Sequence, residues 1–439
     1  MSKEELYEDE IDRREYRRAR RKRNQLIAII VVVVVGLAIV AGGIFGVTRI
    51  MKTLNDKKHT EELQAQLEEL AEAEPAVVEA PVEEEPEELT SDDYLNQIAD
   101  TCISEMSLEN KVAGLFMVTP EALTGVDTVI QAGDTTKQKL SEYPVGGLVY
   151  FSKNIQSADQ LKEMLQTTSN TMIYPVFLAV DEEGGSVARV AGAGLADNVG
   201  DMSEIGSTCD PEKAKEVGTT IGTYLSELGF NVDFAPVADV ASAEDAAIGK
   251  RSFGSDPNVV GTMVAAEVQG LQESGVSACL KHFPGIGDTT ADTHEESVMS
   301  EKTLEDMQQT DLPAFQSGID AGADFVMVSH ISLPNVTGDE TPSSLSGTII
   351  NDLLRNQLGY DGIVVTDALN MSAITDSYSS AEAAVKAIEA GADMLLMPEN
   401  FEEAYQGLLE AVQNGTISED RINESLKRIY RVKYRDRIE

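Results

Sequence analysis

Cysteine is scarce: three in 439 residues, at positions 102, 209 and 279. They are too few and too scattered for a disulfide framework or a zinc site. Cys279 lies within an apolar run and reads as a small buried side chain. Basic residues are also short, 34 against 76 acidic, for a formal charge of −42. That balance argues against any affinity for nucleic acid, whose phosphates need a basic surface. The acidity itself reads first as solubility and self-repulsion. No HExxH, no paired CxxC and no Gly-rich phosphate loop occurs, so no metal or nucleotide cofactor is implied. Histidine is down to four, and two of the four fall in one stretch.

That stretch is residues 281–294, Lys-His-Phe-Pro-Gly-Ile-Gly-Asp-Thr-Thr-Ala-Asp-Thr-His. It follows the apolar run 276–280, which reads as a buried strand, and its proline and two glycines mark a loop opening at the strand's C-terminal end. Lys281, His282, Asp292 and His294 bring four proton-binding or hydrogen-bonding groups into one connection. A structural loop does not need that inventory.

The chain begins with a densely charged segment, 1–25, ending in the basic cluster of residues 17–23. Next comes an uncharged run rich in Val, Ile, Ala and Gly, about the ~20 residues that cross a bilayer as a helix. It is too long for a signal-peptide core and runs straight into Arg49 and Lys52, so an uncleaved anchor over 26–48 is expected. The basic excess before it predicts a cytoplasmic N-terminus, a single pass through the cell membrane, and everything after about residue 50 outside. Residues 49–91 read as a helical and then acidic low-complexity stalk; Leu63, Leu67 and Leu70 are too short a series for a coiled coil, and 83–88 is Glu-Glu-Glu-Pro-Glu-Glu.

From residue 92 to 439 the texture changes. Apolar runs of strand length recur at 114–118, 147–151, 176–180, 232–236, 276–280, 325–329, 363–366 and 394–397. Segments of helical composition lie between them, at 158–169, 211–228, 257–273, 303–321 and 381–390. Fully apolar strands alternating with helices indicate a parallel sheet covered on both faces. Eight repeats predict an α/β fold, a single (β/α)8 barrel of the TIM type preceded by the anchor and stalk. A doubly wound sheet is the runner-up, weakened because no Gly-x-Gly-x-x-Gly follows the first strand. A barrel places its site at the C-terminal ends of its strands. Those positions hold Asp181-Glu182-Glu183, Asp239, Lys281-His282, Ser329-His330 and Asp367.

Each candidate has a plainer reading. Asp367 is either a helix cap or a carboxylate nucleophile or base aimed into the barrel mouth. Asp292 and His294, at i and i+2, lie on one side of an extended loop, where an aspartate orients an imidazole and favours its protonated form. The alternative is a solvated polar loop. Lys281 and His282 either pair with carboxylates or bind substrate hydroxyls, and Arg189 and Arg251 follow the same logic more weakly. His330 is as readable as a core histidine as a ligand. A carboxylate opposite a separate proton donor suits glycoside hydrolysis.

Residues 92–437 resemble the family 3 glycoside hydrolases, in particular the NagZ-like β-N-acetylhexosaminidases. That branch carries Lys-His-Phe-Pro-Gly-[His/Leu]-Gly, four residues, then Asp-[Ser/Thr]-His; 281–294 matches with Ile286 at the His/Leu position. Residues 180–185, 231–237, 251–254 and 365–371 look like its other blocks in the same order. The resemblance implies that Asp367 is the nucleophile of a glycosyl-enzyme intermediate, His294 the acid/base and Asp292 its partner. Asp181, Arg189, Arg251, Lys281 and His282 match positions that hold N-acetylglucosamine. It implies retaining removal of terminal β-linked N-acetylglucosamine without a cofactor. The short C-terminus after the barrel resembles the single-domain type. With an outside catalytic domain, GlcNAc–MurNAc wall fragments are the expected carbohydrate substrate. Phosphorolysis in place of hydrolysis, a β-glucosidase or β-xylosidase of the same superfamily, and a non-catalytic anchored wall-binding protein are the alternatives. Oligomeric state is not readable from the sequence.

Overall fold

The computed structural model describes residues 90–241, 248–289 and 298–435. The chain divides into two units, Met1–Glu87 and Glu88–Glu439, of which the first lies outside the described residues. The second is built on eight parallel strands: β1 (Phe116–Val118), β2 (Gly147–Tyr150), β3 (Phe177–Val180), β4 (Val232–Asp233), β5 (Ser277–Phe283), β6 (Phe325–Val328), β7 (Ile363–Thr366) and β8 (Leu395–Leu396). Each strand pairs with the next in sequence, and β8 pairs with β1 through Phe116 and Leu395. A parallel bridge from Val365 to Met394 completes the ring between β7 and β8. Every residue of the eight strands is buried, which is why the sequence shows them as unbroken apolar runs rather than alternating ones.

The helices form the outer layer. Pro211–Leu228 shows why they start and stop where they do: the Asp210 side chain accepts from the Glu212 N–H, Pro211 occupies the first turn, and Gly229 ends the helix at φ +106°. Its buried face is Ala214, Val217, Gly218, Ile221, Leu225 and Leu228, a single stripe at helical spacing. It packs tightly on Pro257–Glu273. A β-carbon on Gly270 would fall 2.3 Å from the Lys215 carbonyl oxygen, so these two backbones meet only because the side chain is absent.

Two local expectations change. The single helix expected over 303–321 is two, Leu304–Gln309 and Leu312–Asp320. Pro313 sits in the first turn of the second; it has no N–H to give the preceding turn and its ring blocks the carbonyl four residues back. Strand β5 runs on to Phe283, so Lys281 and His282 are strand residues rather than the start of a loop.

The fold expectation also needs correcting before the barrel. Among the described residues no helix is long and apolar enough to cross a membrane. A spanning helix must be apolar all round, whereas Pro211–Leu228, for one, carries lysines and glutamates beside its buried stripe. The expected anchor at 26–48 lies outside the described residues. The transmembrane helix, the membrane partner and the single-pass location with an extracellular catalytic domain are thus not supported by any described helix.

Candidate active site

One cavity of about 310 Å³ opens at the C-terminal ends of the strands. Asp181, Arg189, Arg251, Lys281, His282 and Asp367 all line it, although they come from four separate parts of the chain. Asp292 and His294 lie outside the described residues.

Strand β5 delivers two of these side chains by an irregularity. Its register against β6 runs Leu280 to Val326 and then Phe283 to Val328, three residues against two. In a regular strand neighbouring side chains point to opposite faces. The extra residue of a bulge re-aims them, and here Lys281 and His282 both reach the cavity.

The segment after β3 sorts three consecutive carboxylates. Asp181 and Glu183 face the cavity, while Glu182 between them turns outward. Glu182 accepts from the Val190 N–H at 2.7 Å, the Ala191 N–H at 2.9 Å and the Tyr224 hydroxyl at 2.9 Å. Those bonds fix the first turn of the short helix Arg189–Gly192, and so the place from which Arg189 projects. Arg189 stands over the Phe151 ring at 5.8 Å, and its Nε is buried with no hydrogen-bond partner. A buried unsatisfied donor facing a cavity is an opening for an acceptor on a ligand.

Glu183 is the hub of the charged wall. Arg251 grips it with two bonds of 2.7 Å, from Nε and from a terminal nitrogen, and the Lys281 ammonium lies 2.5 Å away. Lys281 also reaches Asp181 at 2.7 Å. Burial alone would raise the Glu183 carboxyl, but Lys281 and Arg251 outweigh it and hold it down to about 2. Burial works the other way on Lys281, yet Asp181 and Glu183 keep its amine above the ordinary lysine range. Glu183, Arg251 and Lys281 therefore stay charged across the neutral range.

His282 is oriented from behind. Asp239, fully buried, lies 2.7 Å from Nδ1 and also accepts from the backbone N–H groups of His282 and Ile286, at 3.0 and 2.8 Å. With Nδ1 donating to that carboxylate, Nε2 of the neutral ring is an acceptor. Asp367, at the end of β7, is half-buried; its backbone N–H donates to the Val328 carbonyl at 2.8 Å and its Oδ1 accepts from the Ala368 N–H at 2.8 Å. His330 does not line the cavity. It is buried between the Ser344 hydroxyl at 2.7 Å and the Ala368 carbonyl at 2.9 Å, so it braces the turn after Asp367.

Glu183 and Asp239 belong to the site; the sequence places both at strand ends but gives neither a role. For Glu183 the signal was available, since i and i+2 from Asp181 share a face. Asp239 had only its position after β4. A further buried acid lies behind the wall: Glu267, on Pro257–Glu273, has both carboxyl oxygens buried without a partner. Burial, with Glu183 as a second cause, pushes it from the usual 4.5 up to about 8. The fold thus keeps a proton that the unfolded chain gives up, so stability is lost progressively as pH rises from about 4.5 to about 8. Glu267→Gln is expected to raise unfolding free energy at pH 7.5 by up to ~3 kcal/mol and to change little at pH 4.5, read from urea melts at both pH values. An equal effect at both would contradict a protonated Glu267.

Residues 107–432 match the model described as "Glycosyl hydrolase family 3 N terminal domain". The chain is 34% identical over 323 residues to the "Beta-hexosaminidase A" of Pseudoalteromonas piscicida, covering 67% of this chain and 54% of that protein. Among solved structures, a glycoside hydrolase family 3 beta-N-acetylglucosaminidase from Paenibacillus sp. str. FPU-7 superposes with a TM-score of 0.69 at 35% identity, over 76% of this chain and 63% of that one. A Beta-N-acetylhexosaminidase from Beutenbergia cavernae gives 0.68 at 30% identity, over 75% of this chain and 99% of that one. The chain thus spans just over half of the Pseudoalteromonas protein and nearly all of the Beutenbergia chain.

Proposed function

The chain belongs to glycosyl hydrolase family 3, and on that premise we propose that it is a retaining β-N-acetylhexosaminidase that removes terminal β-linked N-acetylglucosamine. The observation that carries the reading is the convergence of Asp181, Arg189, Arg251, Lys281, His282 and Asp367 on one small cavity at the barrel mouth. It is a pocket for one compact polar ligand, at the small end of ligand sites. Charged and polar groups on its wall suit hydroxyl and amide recognition, and the Arg189 Nε is a donor in need of an acceptor. Named relatives that act on N-acetylhexosamines support the choice of sugar.

In the reaction we assign, Asp367 attacks the anomeric carbon while the bond to the leaving oxygen breaks. His294, protonated and oriented by Asp292, gives its proton to that oxygen. Water then attacks the same carbon, returns a proton to His294 and releases Asp367. Asp181, Arg189, Arg251, Lys281 and His282 hold the sugar through both steps. Peptidoglycan-derived GlcNAc–MurNAc fragments are the finer substrate proposal, and they rest on the family resemblance alone.

A panel of nitrophenyl glycosides tests the reading with the full chain. The N-acetyl-β-glucosaminide is expected to be cleaved at least ~100-fold faster than the β-glucoside, as a site built to bind a polar group rejects the analogue lacking it. Cleavage of the glucoside alone would overturn the sugar assignment. Adding phosphate is expected to leave free N-acetylglucosamine as the product; its 1-phosphate in quantity would assign phosphorolysis instead.

A further inference from the structure

His330 is one of the chain's four histidines, and it stands just past the end of β6, outside the cavity. Its backbone is tied on both sides. Before it, the Ser329 N–H donates to the Phe283 carbonyl at 2.8 Å, and the Ser344 N–H donates to the Ser329 carbonyl at 3.0 Å. After it, the Ser343 N–H and hydroxyl both donate to the Ile331 carbonyl, at 2.9 and 2.6 Å. Ser329, Ser343 and Ser344 are fully buried, so the ring projects from a backbone that is bonded at each step.

The ring's partners set its tautomer. A carbonyl oxygen only accepts, so Nε2, 2.9 Å from the Ala368 carbonyl, carries the proton. Nδ1 of the neutral ring is then an acceptor, matched by the Ser344 hydroxyl at 2.7 Å. Ala368 follows Asp367 and lines the cavity, and its two polar groups are held separately. Its N–H donates to the Asp367 Oδ1 at 2.8 Å, while its carbonyl accepts from His330 and, at 3.1 Å, from the Met371 N–H. Backbone bonds tie the flanks of this turn to the barrel: the Asp367 N–H to the Val328 carbonyl at 2.8 Å and the Leu369 N–H to the Leu396 carbonyl at 2.9 Å. His330 supplies a side-chain bond to Ala368 between them.

We propose that His330 is a positioning residue for the nucleophile: by holding the Ala368 carbonyl it fixes where the Ala368 N–H points, and so where the Asp367 carboxylate sits. The inference rests on the functional reading above, because it takes Asp367 as the attacking group. Attack on an anomeric carbon needs the reacting atoms aligned and about 3–3.5 Å apart, and a misplacement of about 1 Å from a change outside the chemistry costs on the order of 100-fold. His330 does not line the cavity, so its loss is expected in the chemical step and not in sugar binding.

Two substitutions in the full chain separate the ring's two bonds. Glutamine carries an amide N–H to the position of Nε2 and keeps the bond to Ala368; asparagine reaches only as far as Nδ1 and keeps the side facing Ser344. In kcat/KM, His330→Asn is expected to lose about 30-fold or more, by a similar factor on N,N′-diacetylchitobiose and on 2,4-dinitrophenyl N-acetyl-β-glucosaminide. The nucleophile attacks in both reactions, whereas only the sugar alkoxide needs a proton to depart. His330→Gln is expected to stay within about fivefold of the parent. Calorimetric titration with N-acetylglucosamine is expected to give both variants one site per chain and an affinity within about twofold of the parent's, a difference of well under 1 kcal/mol. A stoichiometry that falls with activity would mean a folding defect and overturn the positioning role. So would an unimpaired His330→Asn, a loss confined to chitobiose, or a His330→Gln as impaired as His330→Asn. A parent enzyme inactive on both substrates would remove the functional reading itself, and the role of His330 with it.

Discussion

Asp367→Ala is expected to lose turnover by a factor on the order of 10⁴ or more while the protein stays folded. The size follows from the role: without the carboxylate there is no covalent intermediate, and the cavity is left with binding and a proton donor. Stability is expected to hold because the side chain is only half-buried, at the rim of the cavity. Its Oδ1 accepts from the Ala368 N–H at 2.8 Å, and at a half-buried position water can replace it. The backbone bond to Val328 does not involve the side chain and remains. The bond to the Ala368 N–H contributes about 1 kcal/mol to unfolding free energy. The discriminating measurement is rescue by azide. A small anion entering the space left by the carboxylate attacks the anomeric carbon from the same face, expels the leaving group and gives the α-glycosyl azide. Steady-state rates with and without azide, and the anomeric configuration of the product, check both halves. An Asp367→Ala enzyme keeping more than about a tenth of parent activity is incompatible with a nucleophile, for which removal is far more costly.

Much of this site was legible because its supports are simple. A parallel strand buried on both faces writes itself as an apolar run, and polar residues at the ends of such runs have few reasons to be there. That logic finds Asp181, Asp239, Lys281, His282 and Asp367. It fails where local geometry decides. Nothing in the order Leu-Lys-His-Phe announces the bulge that brings Lys281 and His282 to one cavity; in a regular strand one of them would point away. Glu182 and Glu183 are alike in sequence, but one braces the Arg189 turn and the other is the centre of the charged wall. The membrane reading drew on the composition of 26–48 and the basic residues flanking it, all outside the described residues.

Glu183→Gln is the change expected to cost the fold most. The neutral amide keeps the shape of the carboxylate and removes its charge, leaving Arg251 and Lys281 to share a wall in which only Asp181 still neutralises the lysine directly. Breaking a buried pair by removing one partner costs about 3–5 kcal/mol, because the remaining charge stays desolvated. The pH dependence identifies the cause. Held down to about 2 against an ordinary 4.5, the Glu183 carboxylate contributes stability that is complete above about pH 4.5 and is lost as pH falls toward 2. The gap between parent and variant is therefore expected to be constant from pH 5 to 7 and to narrow steadily below 4.5 in urea melts. Binding should suffer as well. Lys281 is now suspended between Asp181 and Glu183; with one tether gone, it pairs wholly with Asp181 and draws that carboxylate away from the sugar. A KM raised by about tenfold or more corresponds to the loss of one such charged contact. A variant with the parent's stability at pH 7, or with a gap that widens toward pH 3, would show that Glu183 is not the ionised centre of this wall. Because Glu183 lines the same cavity as Asp367 yet is locked by two cations, the two carboxylates are not interchangeable. A nucleophile must have electrons to give, and Glu183 has committed its own to Arg251 and Lys281.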